Sequence, residues 1–116
     1  MINDLVAYQR HAASTAIYPG AADLDSYEGL AYVTLGLAGE AGELANKVKK
    51  IARDFGGQVT NVDRAKLADE LGDCLWYVAQ FATQLGIDLD AIANTNLAKL
   101  HSRQVRGVLQ GSGDQR

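Results

Sequence analysis

The chain has one cysteine, one proline and two histidines among its 116 residues. A single cysteine forms no internal disulfide and no cysteine-rich zinc site. Cys74 falls among apolar neighbours at helical spacing, where a free thiol reads as a small buried hydrophobe. One proline and no long β-branched run leave most of the backbone free to be helical. His11 and His101 have Tyr8 and Ala98 three residues before them, so the Glu-x-x-His pairs of a di-iron bundle are absent. Both histidines read as helix-surface residues. There is no Ser-His-Asp arrangement, glycine-rich phosphate loop or Cys/His zinc spacing either. A net charge of −3 and a pI near 5.2 leave no electrostatic footprint for nucleic acid. Charge or glycine interrupts every apolar stretch, which excludes a membrane span, and no signal peptide is visible. The expected compartment is the cytoplasm.

What remains is an ordinary apolar fraction, 47%, in a chain long enough for one core. The spacing predicts a small all-α, four-helix bundle in a single domain over 1–106, followed by a flexible tail at 107–116. A first helix is expected over 2–16, ending before Tyr18-Pro19 because the residue before proline avoids the helical region. Residues 17–25 read as a loop, and Asp25 or Ser26 as the cap of a second helix reaching Phe55. Gly56-Gly57 stops it. Asn61 or Asp63 caps a third helix that closes at Gly86, and Asp88 caps a fourth over 88–106.

The second and third helices carry the chemistry. Glu40-x-x-Glu43 and Glu70-x-x-Asp73 are acidic pairs one helical turn apart, so each pair lies on one side of its helix. Both strips lie beside an apolar face: Leu37, Ala41, Leu44, Val48 and Ile51 on one helix, Leu71, Cys74, Leu75, Val78, Ala82 and Leu85 on the other. If these faces pack together, four carboxylates converge at one edge of the core. Gathered anions repel unless a cation sits among them, and hard divalent cations take oxygen ligands. One such pair alone is usually a solvated face, and Glu43 could simply pair with Lys47. Two at matched phase on consecutive helices point to a magnesium site.

Gly36, Gly39 and Gly42 recur beside the first pair. They admit a close backbone or ligand, or mark a kink or tight crossing, with equal weight. Trp76 lies off the apolar direction of its helix and suggests a second buried surface, a subunit interface or a base-stacking wall, of which the interface is favoured. Asn96, Lys99 and Arg103 share one face of the fourth helix, either as solvated surface or as donors toward phosphates.

The run GLAGEAGELANKVKK, followed by DELGDCLWYVAQFATQLGIDLDAIANTNLAKLHSR, resembles the MazG-like nucleoside triphosphate pyrophosphohydrolases of the all-α NTP pyrophosphatase superfamily. Their signature is ExxE, a spacer, then ExxD, and the likeness runs from about Tyr18-Pro19 to Arg103. The resemblance implies that Glu40, Glu43, Glu70 and Asp73 bind Mg2+, with Mn2+ as a substitute. It implies a reaction that turns a nucleoside triphosphate into a monophosphate and pyrophosphate, for nucleotide-pool control or house-cleaning. Asn96, Lys99 and Arg103 match the family's terminal N-x-x-K-x-x-x-R pattern and would hold the triphosphate with Lys47. Glu43, with Lys47 one turn on, would be the catalytic base. Base and sugar would meet the Ile17–Asp25 loop and Tyr77 or Trp76. Such proteins are dimers or tetramers, so a homo-oligomer is expected. The competing expectation is a non-catalytic helical dimerisation or regulatory module that kept the fold.

Overall fold

Side-chain oxygens write the helix starts. In the computed structural model, which describes residue 2 and residues 4–116, Asp4 opens α1 (Leu5–Ala13) by accepting the Ala7 N–H at 2.7 Å. The expected span of 2–16 shrinks at both ends, and residue 3 lies outside the described residues. At the far end the Ser14 and Thr15 hydroxyls donate back to the His11 and Ala12 carbonyls. Ser26, one of two expected caps, opens α2 (Tyr27–Phe55) by accepting the Gly29 N–H. Gly56, at φ +61°, ends it. The cap of α3 (Asn61–Leu85) is Thr60, not Asn61 or Asp63. Thr60 and Asp63 form a reciprocal capping box, with Asp63 inside the first turn. Gly86, at φ +69°, closes α3.

α4 (Leu89–Val105) begins differently. Asp88 occupies the cap position, but its side chain makes no cap hydrogen bond. The Leu89 N–H donates instead to Oε1 of Gln9, at 2.7 Å, from α1. The Gln9 amide nitrogen donates to the Ile87 carbonyl and the Thr83 hydroxyl. One buried glutamine thus ties α1, the end of α3 and the start of α4 together.

All four elements are helices, and no strand occurs among the described residues. Among the described residues no helix is long and apolar enough to cross a membrane. α3 is the hub: it packs against α2, α1 and α4, whereas α2 approaches neither α1 nor α4 among the described residues. The radius of gyration is 17.0 Å, against about 13 Å for a close-packed domain of this length. The helices spread around α3 without closing into a bundle.

The core is small. Ala12, Ala79, Ala82 and Leu89 form its centre, with Tyr8 and Trp76 packed against it. Trp76 donates from Nε1 to the Thr15 hydroxyl at 2.8 Å. Part of the indole is therefore covered within the chain, by the core around Ala12 and by Thr15 just beyond α1, and the rest of it stays half-exposed. The apolar face expected to be the core side of α3 reaches the core at Ala82, but most of it does not. Leu71 is 58% exposed and Leu85 48%, and Leu75 and Val78 are exposed with them. The inward residues of α3 include Gln80 and Gln84, which both reach the 17–25 loop. Gln84 accepts from the Tyr18 hydroxyl and the Ala22 N–H and donates to the Asp23 carbonyl. Ala22, with φ +63°, is held in a left-handed conformation beside that hydrogen bond.

Residues 107–116, expected to be mobile, turn back along α4. Arg116 donates to the Val108, Leu109 and Gly113 carbonyls, and Arg106 to the Arg116 carbonyl.

Candidate metal centre

The α2–α3 hairpin brings the acidic strips face to face. Glu40, Glu70 and Asp73 each place one carboxylate oxygen within 4.8 Å of the others. Glu40 and Glu70 are half-buried, and Asp73 is exposed. Glu43 is exposed and stands outside this trio. Three of the four acids predicted as metal ligands therefore converge, and the fourth lies one turn along α2.

Crowding shows in the electrostatics. The Glu40 carboxyl is raised above its ordinary pKa, first by desolvation, then by the charges of Asp73, Glu70 and Glu43 and a hydrogen bond with Glu70. Lys47 answers part of this charge: its Nζ lies 2.6 Å from Glu70 Oε1. That hydrogen bond is the main reason the ammonium is held above its usual pKa. An all-carboxylate donor set, crowded enough to raise one member and already drawing in an ammonium, fits a hard divalent cation.

Tyr77 borders the trio. Its ring lies where a Cβ on Gly36 would have to sit, so Gly36 is the close approach that its absent side chain allows. Gly39 and Gly42 face open space, which leaves the close-approach reading without a neighbour there. The Tyr77 hydroxyl is pushed upward in pKa by burial, then by Tyr32, Glu40 and Asp73, so it remains a donor at neutral pH. Tyr32 and Tyr77 have ring centroids 6.2 Å apart, and Tyr32 stacks on Tyr18 at 4.6 Å. Trp76 meets Tyr77 edge-on at 5.0 Å. Gln80 donates to the Tyr18 hydroxyl beneath these rings, while its buried Oε1 has no partner.

The sequence reading missed Tyr32, although the signal was present. Tyr32, Gly36, Glu40, Glu43 and Lys47 follow one another by steps of three and four, one strip of α2. Gln80 and Gln84 carried no comparable signal, because their partners are distant in the chain.

The fourth-helix strip is not brought to the acids. Asn96 and Lys99 line a shallow groove with Ile87, Ala91, Ile92 and Thr95. Arg103 is buried beneath the C-terminal turn, donating to the Asp114 carbonyl at 3.0 Å, and its Nε is unpaired. The Asp114 carboxylate lies 3.7 Å from Lys99 and 3.6 Å from Arg103. α4 does not approach α2, which carries Glu40, and no ion pair among the described residues joins Lys99 or Arg103 to Glu70 or Asp73 on α3.

Comparison with known proteins agrees with this geometry. Residues 29–107 match the MazG nucleotide pyrophosphohydrolase domain model, a span that holds the trio, Lys47, Tyr77 and the α4 strip. The chain is 62% identical over 109 residues to the Gene 37 protein of Mycobacterium phage L5, covering 94% of this chain and 96% of that protein. That name states no activity. No solved structure matches the chain significantly. The chain belongs to the MazG nucleotide pyrophosphohydrolase family.

Proposed function

We propose that this protein hydrolyses nucleoside triphosphates, ribo- or deoxy-, to monophosphate and pyrophosphate with magnesium, manganese serving as a substitute, in cytoplasmic nucleotide-pool control or house-cleaning. The observation that carries the reading is the convergence of Glu40, Glu70 and Asp73 within 4.8 Å on facing helices. These three would hold the cation, which when bound would neutralise phosphate charge and polarise the phosphorus under attack. Glu43, one turn from Glu40 and outside the trio, would take the proton from the attacking water on a carboxylate oxygen. Lys47 would move from Glu70 to a phosphate oxygen once a cation replaced it. The Tyr77 hydroxyl, kept protonated by its surroundings, would donate to the substrate, and the Tyr18, Tyr32 and Trp76 rings would offer the base an apolar wall.

A homo-oligomer, dimer or tetramer, belongs to this reading. The exposed Leu71, Leu75, Val78 and Leu85 stripe supports it, as does the absence of any approach of α4 to α2. A second copy packed on α3 would bury that stripe and could bring its own Asn96, Lys99 and Arg103 toward the phosphates. Incubating the protein with common and modified triphosphates and magnesium, and measuring pyrophosphate, tests the reading. Release by wild type and not by Glu70→Ala is expected. Silence across the panel would leave the non-catalytic helical module standing.

A further inference from the structure

The facing strips of α2 and α3 repeat one order of chemistry. Along α2, steps of three and four lead from Tyr32 through Gly36, Glu40 and Glu43 to Lys47 and Lys50. Along α3, read backwards, the order is Tyr77, Asp73, Glu70, Lys66. Because the helices form a hairpin, tyrosine faces tyrosine, acid faces acid, and lysine faces lysine. The tyrosine pair and the acid trio are both seen in the geometry. At the lysine end, Lys47, Lys50 and Lys66 line one cleft of about 360 Å³, floored by Ile51, Phe55 and Leu67.

Two of those lysines are uncommitted. Lys47 pairs with Glu70, but Lys50 and Lys66 make no ion pair among the described residues. Asp63 also lines the cleft, yet its carboxylate is turned back onto the Thr60 N–H and hydroxyl, at 2.9 Å each, and spent on the helix cap. Glu40 and Lys47 are about 10 Å apart along the helix axis, so a chain of phosphates starting at the trio can reach this cleft.

We infer that the Lys47–Lys50–Lys66 cleft is the seat of the terminal phosphates and of the departing pyrophosphate. The nucleotide therefore lies in one direction, base toward Tyr32 and Tyr77, scissile bond at the trio, and distal phosphates at the lysines. The inference rests on the hydrolase reading for its substrate, and it assigns Lys50 and Lys66 a role that neither the acidic motifs nor the α4 strip supplies. Lys50 and Lys66 bind the part of the substrate that leaves, so their loss should act on pyrophosphate and spare the monophosphate.

Calorimetric titration of the full chain with inorganic pyrophosphate, and separately with nucleoside monophosphate, in magnesium tests this. Lys50→Met and Lys66→Met should each weaken pyrophosphate binding about tenfold, as expected for a lost charged hydrogen bond. Monophosphate binding should change less than about twofold. Lys66→Arg should restore most of the affinity. Lys49→Met, which removes the same charge from the opposite face of α2, is the control and should do little. Unchanged pyrophosphate binding in both variants, equal losses for the two ligands, an equal loss with Lys49→Met, or no pyrophosphate binding by wild type would each overturn the inference. The outcome is separable from the hydrolase reading. Lysine-dependent pyrophosphate binding without turnover sinks hydrolysis alone, and turnover with lysine-independent binding sinks the seat alone.

Discussion

The two faces of α3 could hardly differ more. The face toward α2 and the 17–25 loop carries Glu70, Asp73, Tyr77, Gln80 and Gln84, and nearly every polar group there meets another. The outward face carries Leu71, Leu75, Val78 and Leu85, exposed to a degree unusual for a hub helix. Burying a leucine or valine is worth about 1.5–3 kcal/mol, so four exposed together are a standing incentive to associate. On the proposed reading, the inner face serves chemistry and the outer one contact with a second copy. Apolar spacing alone marks where a helix will be covered, not whether the cover comes from its own chain.

Trp76→Ala should produce the largest stability change, because the indole fills the junction of α1 and α3 and its N–H has a partner. A loss of about 3 kcal/mol in urea unfolding is expected, the low end of the range for a buried tryptophan, because the indole is only half-buried. If Trp76→Ala only dissociated an oligomer and left the unfolding free energy unchanged, the intramolecular role would be wrong.

The glycines sharpen the same contrast. Gly36→Ala forces a methyl into the Tyr77 ring, at a cost of about 1–3 kcal/mol from overpacking. Gly39→Ala meets open space and should instead gain about 0.5–1 kcal/mol of helix stability. Opposite signs in thermal melts are expected. Destabilisation by Gly39→Ala would mean that something covers that position in the assembled protein.

Leu75→Glu probes the outer face. Sedimentation should show the wild type associated and the variant as single chains, with the stability of the single chain altered by no more than about 0.5 kcal/mol. A wild type that sediments as single chains at micromolar concentration would contradict the contact role of this face.

Much of the architecture was legible because it is local. Ser26, Gly56 and Gly86 mark helix ends through hydrogen bonds and left-handed backbone that need no distant partner. Glu40, Glu70 and Asp73 were legible because spacing fixes a strip and repulsion implies a counter-ion. The inward direction of α3 was not. Gln80 and Gln84 look like surface until Tyr18 and the loop around Ala22 are placed beside them. The cap of α4 comes from Gln9 at the other end of the chain, which no local rule could supply. The position of Lys99 and Arg103, away from the acids, depends on how α4 leaves α3.

The smallest expected effect is a pH slope. Glu40 holds its proton above the ordinary glutamate value of 4.5, so between that value and its raised one the folded state binds more protons than the unfolded state. Stability without metal should therefore fall as pH rises through that window and level off above it. Glu40→Gln should remove this part of the slope in denaturant titrations and leave the metal-free protein more stable at neutral pH. An unaltered slope would show that the trio does not crowd Glu40 in solution.

The inner face of the α2–α3 hairpin, with its three converging carboxylates, is proposed as a cation site. Thermal unfolding with and without magnesium tests it most directly, since a ligand bound only by the folded state raises the melting temperature by mass action. A concentration-dependent rise is expected for wild type and should disappear in Glu70→Gln and in Asp73→Asn. A melting temperature indifferent to magnesium and manganese in the wild type, or an equal rise in those variants, would contradict it.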